Sequence, residues 1–246
     1  MTRTVLIIGS GPNAPDCLGW DLSTFAAVVA INNAWRVRED WTHLIHPEDF
    51  PPERRPDRLS SGQTVVTASD YVPSLNRFGG VVYAGGTMAF TAGYWALDAL
   101  APDVLAYIGC DMVYPCSGPT HFYGTGTADP LRADVTLQDL EAKSARLLLM
   151  AAASGCRCVT LSRATETRLV FPRTTPQALA ALPPPASPAA LPDFQEATAH
   201  EAALGLYVPS GRYWEAGDLD PHALAAVDQL WIEAHRAHAR PAGQAA

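Results

Sequence analysis

The sequence predicts an α/β fold built on a mostly parallel sheet, and three of its features do so. Unbroken runs of bulky aliphatics, Val5-Leu6-Ile7-Ile8 first among them, suit strands buried on both faces better than the alternating strands of half-exposed sheets. Segments of helical period fall between these runs, as crossovers between parallel strands require. Several runs also end abruptly in Gly, Asn or Asp. Such exits turn the chain sharply at the carboxyl edge of the sheet, where open α/β sheets hold ligands.

The first strand is Val5 to Ile8, and Gly9-Ser10-Gly11-Pro12-Asn13 after it can continue neither strand nor helix. Phe25 to Asn32 reads as the second strand and Thr42 to Ile45 as the third. The polar, Pro-rich stretch Pro47 to Gly62 reads as loop with a short helix. A weaker strand follows over Gln63 to Ala68, and a further short one at Val81-Val82-Tyr83. Thr87, after Gly85-Gly86, is placed to cap a helix that runs to Leu100. Val104 to Gly109 returns to a buried strand. Leu137 to Ala153 has the clearest helical period and closes at Ser154-Gly155, and Cys158 to Ser162 is the last strand.

These elements predict a Rossmann-like core over residues 1–172, with helices on both faces of the sheet. Residues 173–192, rich in Pro and Ala, read as a stiff linker. Residues 193–246 predict a helical C-terminal appendage, from the spacing of Phe194 to Leu206 and Pro221 to His238. Its aromatics Tyr207, Tyr213, Trp214 and Trp231 could pack on the core or on a partner, a second copy of the chain included.

Composition narrows the function. A chain of 246 residues with 48% hydrophobic and 17% charged residues can bury a full core. No apolar run reaches the ~18 residues of a membrane helix, and Met1-Thr2-Arg3-Thr4 leads into a β-type run without a signal-peptide pattern, so the cytoplasm is the expected location. A net charge of −8 argues against general nucleic-acid binding, which needs a basic stripe, but leaves room for a nucleotide in a pocket. Five cysteines without paired C-x-x-C spacing indicate neither a disulfide framework nor a zinc knuckle.

The chemistry-bearing residues sit at the strand exits. The opening loop lacks the third glycine of a dinucleotide fingerprint, since Ala14 stands there, and the Gly-Lys-Ser/Thr of a phosphate loop. It does offer backbone N–H groups near Gly9, Ser10 and Gly11 and the carboxamide of Asn13, a set that can hold a phosphate, a ribose or a base edge. Asn32 and Asn33 end the second strand, where they could read hydroxyls or a base edge or simply form a turn. Asp111, after Tyr107-Ile108-Gly109-Cys110, could orient a ligand hydroxyl, bind a metal or cap a turn. Tyr114 and Tyr123 bracket a Gly/Thr-rich loop with His121 at its centre, and an imidazole is the natural base for a hydroxyl near neutral pH. Two weaker sets are His46-Pro47-Glu48-Asp49, which could complete a pocket or bind metal, and Arg163, Arg168 and Arg173, one of which could pair with a phosphate.

The order of these motifs over residues 4–172 resembles the bacterial sialyltransferases of glycosyltransferase family 42 and the related motility-accessory-factor and 6-hydroxymethylpterin pyrophosphokinase-like domains. The shared outline is a strand with G-x-G-P-[SN], an Asn-bearing second strand and a Gly-rich helix start at 85–93. Strand-Gly-x-Asp-x-x-Tyr, a downstream His and a helix-to-strand unit complete it. The chain departs from the commonest G-N-G-P-S form at Ser10 and Asn13. The resemblance implies transfer of an acidic sugar such as sialic acid from a CMP-activated donor to a glycan or small-molecule acceptor. Gly9, Gly11, Asn13 and Asn32 or Asn33 would hold the nucleotide, Tyr114 and Tyr123 the departing phosphate, and His121 the acceptor hydroxyl, with no metal or cofactor required. The alternatives are a pyrophosphokinase-like enzyme with Mg²⁺ held by acids such as Asp111 and Asp129, and a non-catalytic nucleotide-binding or assembly protein.

Overall fold

A computed structural model describes residues 2–114, 117–126, 134–215 and 217–240. Six strands form one sheet: β1 (Thr4–Ile8), β2 (Ala27–Ile31), β3 (His43–Ile45), β4 (Thr64–Val66), β5 (Val104–Ile108) and β6 (Arg157–Thr160). Every pairing is parallel and the order is β4-β3-β2-β1-β5-β6. The chain therefore steps outward from β1 to β4, then returns to set β5 against the other side of β1. That reversal opens a crevice at the carboxyl ends of β1 and β5, the position at which doubly wound sheets bind ligands.

Burial explains the aliphatic runs, since all five residues in each of β1, β2 and β5 are buried. Val5, Ile7, Val29 and Tyr107 face one side with Leu75, Phe90 and Leu147, which belong to α1 (Ala68–Arg77), α3 (Met88–Leu100) and α4 (Leu140–Ala153). Leu6, Ile8, Val28 and Ala106 face the other side. There the cover is short 3₁₀ turns at Ala14–Gly19, Leu22–Thr24 and Pro176–Ala181, which bury Cys17, Leu22 and Leu179. The α/β architecture thus has α-helices on one face and 3₁₀ helices of one or two turns on the other.

Two local expectations change. The apolar triplet at Val81 is helical, as α2 (Val81–Ala84), because Gly79 and Gly80, with φ of 92° and 93°, turn the chain there. Val82 and Tyr83 then bury against Leu149, Phe194 and Trp231 instead of joining a sheet. The weak strand stops at Val66, because Thr67 and Asp70 exchange capping hydrogen bonds that start α1.

Residues 173–192 begin alongside β6: Thr160 N–H donates to Pro172 O at 3.0 Å and Thr174 N–H to Thr160 O at 3.0 Å. Beyond them α5 (Pro192–Leu204) and α6 (Pro221–His238) pack on α4 around a buried ionic network. The Arg146 guanidinium, 1% exposed, donates to both Glu201 carboxylate oxygens at 2.7 and 2.8 Å, to the Tyr94 hydroxyl at 2.7 Å and to Phe78 O at 2.6 Å. Trp231 Nε1 donates to the same carboxylate at 2.6 Å. A guanidinium buried this deeply is tolerable only when its donors are satisfied in this way. Cys17, Cys110, Cys156 and Cys158 are buried free thiols, and burial pushes Cys17 up to about 11 and Cys156 up to about 12. Among the described residues no helix is long and apolar enough to cross a membrane.

Candidate functional site

Beyond the last sheet hydrogen bonds, β1 and β5 continue to hold one another through their glycines. Gly9 N–H donates to Ile108 O and Gly11 N–H to Gly109 O, both at 2.8 Å. A Cβ at Gly9 would stand 2.3 Å from Gly109 O, so no other residue fits this approach, and Gly109 itself sits at φ 70°. The expectation that these amides hold phosphate changes accordingly: the N–H groups of Gly9 and Gly11 are spent on β5, and the glycines serve to close the floor of the crevice.

That floor borders a cleft of about 270 Å³, near the lower end of the roughly 300–1,000 Å³ of small-molecule pockets. Gly9, Ser10, Gly11, Asn32, Asn33, Asp111, Tyr114, His121 and Tyr123 all line it. Asn13 stands one layer back and acts through Asp111. Its Nδ2 donates to Asp111 Oδ2 and to Ser162 Oγ, both at 2.7 Å, while Ser162 O–H donates to the same Asp111 oxygen at 2.8 Å. Three strand exits, those of β1, β5 and β6, are thereby tied to one carboxylate. Sequence reasoning passed over Ser162; the signal was its place just past the carboxyl end of a buried strand.

Four oxygens around this floor, Asn13 Oδ1, Asn32 Oδ1, Asn33 Oδ1 and Asp111 Oδ1, are buried without a protein hydrogen-bond partner. Unsatisfied buried acceptors are costly, on the order of 1–3 kcal/mol each, and call for an explanation such as a ligand. Local backbone strain accompanies them. Asn32 has φ 52° and Met112 φ 53°, a region that non-glycine residues enter sparingly and that clusters at functional sites. Thr87, 6% exposed, accepts from Phe90 N–H at 3.4 Å as the cap of α3, and Thr87, Met88 and Ala89 bring the positive end of that helix to the cleft.

His121 is held from both sides. Its backbone pairs with Gly124 in both directions, at 2.9 and 3.1 Å, and the neighbouring Phe122 N–H donates to Ser10 O at 3.1 Å, which fastens this loop to the first one. The ring's Nδ1 is 2.9 Å from Thr120 Oγ1. Tyr123 stacks on the imidazole at 4.9 Å between centroids, and Tyr114 lies at 6.3 Å. Among the described residues, the acidic and basic side chains that line the cleft besides the His121 imidazole are Asp49, Asp111 and Arg54, the last exposed. Cys110 also lines it, and burial, with the Asp111 charge adding to it, keeps that thiol neutral.

The weaker sequence sets divide. His46 is 4% exposed, with its ring stacked on Phe50 and Nδ1 2.9 Å from Pro47 O, so it is a core residue. Pro47 and Asp49 beside it do line the cleft. Arg168 pairs with Glu141 at 3.4 Å on the surface and Arg173 donates to Ser162 O at 3.3 Å. Arg163 borders a separate cavity with Asp16 and Trp20. Asp129 lies outside the described residues, among which no three His, Cys, Asp or Glu side chains converge as a metal site. The chain matches no protein-family model, no curated protein and no solved structure.

Proposed function

We propose that this chain is a glycosyltransferase-like enzyme that binds a CMP-activated acidic sugar, such as sialic acid, and transfers the sugar to an acceptor hydroxyl. One observation carries the reading: three unpartnered buried acceptor oxygens, those of Asn32, Asn33 and Asp111, belong to the lining of a cleft whose wall also holds an imidazole beside two phenols. Acceptors without a bulk positive charge suit the donors of a nucleoside, its ribose hydroxyls and the amino group of cytosine. The α3 N-terminus and Arg54 supply the positive potential that a single phosphate needs.

The transfer balances with groups on this chain. His121 removes the acceptor hydroxyl proton, the oxygen attacks the anomeric carbon, and the bond from that carbon to the phosphate oxygen breaks with its electron pair leaving on CMP. Tyr114 and Tyr123 donate hydrogen bonds to the departing phosphate, offsetting its developing charge. The test is a thermal-shift screen with CMP, CDP, UDP, GDP and ATP, with and without Mg²⁺. CMP at 100 times its Kd is expected to stabilise the chain by about 2.7 kcal/mol without metal. A response confined to ATP with Mg²⁺ would replace this reading with pyrophosphoryl transfer, and CMP binding without any transfer would leave a nucleotide-binding protein.

A further inference from the structure

One hydroxyl closes the loop that carries His121. Thr120, 5% exposed, places its Oγ1 within hydrogen-bond distance of three groups: Gly126 N–H at 3.0 Å, Gly126 O at 3.2 Å and His121 Nδ1 at 2.9 Å. Thr125 O–H donates to Gly118 O at 3.2 Å and closes the same loop a second time. Gly126 lies against the ring edge that bears Nδ1, since a Cβ there would stand 3.3 Å from Nδ1 and 3.5 Å from Cε1. That edge belongs to the loop, while His121 also lines the cleft.

A threonine hydroxyl has one proton to donate and two lone pairs with which to accept. Gly126 N–H occupies one lone pair, and Gly126 O, which can only accept, takes the proton. What remains toward Nδ1 is a lone pair, so that nitrogen must carry a hydrogen. The 2.9 Å separation is ordinary for an N–H···O bond. The opposite assignment, with the O–H turned to Nδ1, would leave the two oxygens facing each other at 3.2 Å with no proton between them, at a side chain buried enough for an unmet acceptor to be costly.

We infer that Thr120 is a positioning residue: it fixes the neutral His121 ring as the Nδ1–H tautomer and so makes Nε2 the nitrogen that takes a proton. A ring held the other way would present a protonated Nε2, which cannot act as a base there. The consequence for turnover rests on the transferase reading. In that reaction the acceptor hydroxyl's proton passes to Nε2, its oxygen keeps the electron pair that forms the new bond, and Nδ1–H bonds Thr120 more strongly as the ring gains charge. The tautomer itself follows from the loop alone.

Nitrogen-15 multiple-bond correlation spectra of the full chain, labelled in its seven histidine rings, read the tautomer directly at a pH well above the ordinary imidazole range. The His121 signals are identified by their loss in His121→Gln. A pyrrole-type Nδ1 and a pyridine-type Nε2 are expected in wild type, a mixed or reversed pattern in Thr120→Val, and the wild-type pattern again in Thr120→Ser. With a verified donor and acceptor, Thr120→Val is expected to lose ~10–100-fold in kcat, the contribution of a charge-assisted hydrogen bond. KM and CMP affinity should stay within about twofold, and Thr120→Ser should recover most of the rate. Thermal melts identify a variant that has lost its fold, and the wild-type spectrum needs no variant. A pyrrole-type Nε2 in wild type, or an unchanged tautomer in folded Thr120→Val, overturns the assignment. A wild type with the expected tautomer that transfers nothing overturns the transferase reading instead, and with it the role of Thr120 in turnover.

Discussion

Asp111 carries its neighbours' roles at the scale of single residues. One of its oxygens is held by Asn13 and Ser162 while the other is buried without a protein partner, so three side chains from distant parts of the sequence fix one acceptor. The first prediction concerns His121, which the loop's pairing with Gly124 and Ser10 holds in the cleft wall. His121→Ala is expected to keep nucleotide affinity and lose transfer by ~10²–10⁴-fold, the contribution of a positioned base. Equal turnover of variant and wild type with a verified donor and acceptor would remove His121 from the mechanism. The second concerns Gly9→Ala, whose Cβ would meet Gly109 O at 2.3 Å and Cys110 Sγ at 2.5 Å. Because the nearest atom is backbone, β1 and β5 must part. A loss of about 1–3 kcal/mol in urea unfolding is expected, together with loss of the CMP thermal shift. A variant as stable as wild type would show that the two exits are not locked.

Packing of α6 on α4 sets the chemistry at the scale of elements. Lys143 on α4 and Asp228 on α6 face each other at 3.9 Å, both nearly buried, and Lys143 also donates to Val82 O at 3.1 Å. Burial, partly opposed by the Lys143 charge, pushes Asp228 from 3.8 up to about 6, and burial draws Lys143 down. A carboxyl with a raised folded pKa holds its proton more tightly in the folded chain. Its contribution to stability is therefore complete below pH 3.8 and is lost as pH rises through about 6. Asp228→Asn should remove that slope. Urea unfolding of both proteins across this window is expected to show wild type losing stability relative to the variant as pH rises, and the opposite trend would mean that the Lys143 attraction outweighs burial.

The tail completes the core at the scale of the whole molecule. Arg146 is almost fully buried on α4, and its ionic partner Glu201 comes from α5. Removing one partner of a buried pair costs roughly 3–5 kcal/mol, a large share of the ~5–15 kcal/mol that stabilises a domain. Deletion of residues 191–246 also uncovers Val82, Tyr83 and Leu149, which lie with Trp231 in one apolar cluster. The shortened chain is expected to lose its cooperative melt and to aggregate on size exclusion. A monodisperse truncation melting within a few degrees of the full chain would show that residues 1–190 stand alone.

The strands and their exits were legible in the sequence because each depends on local rules. Consecutive Val, Leu and Ile report burial on both faces, and Gly-Ser-Gly, Asn-Asn and Gly-Cys-Asp report where a strand must stop. Thr87 was legible as a cap for the same reason. What required the tertiary structure were the relations set by strand order. Placing β5 beside β1 consumes the Gly9 and Gly11 amides, and placing β6 beside β5 brings Ser162 to Asp111 across 51 residues of chain. The apolar triplet at Val81 became helical because Gly79 and Gly80 turn the chain there and the tail offers it a surface to bury against. Local patterns encode what each segment can become, while which groups meet depends on long crossovers whose ends leave no mark on the residues between them.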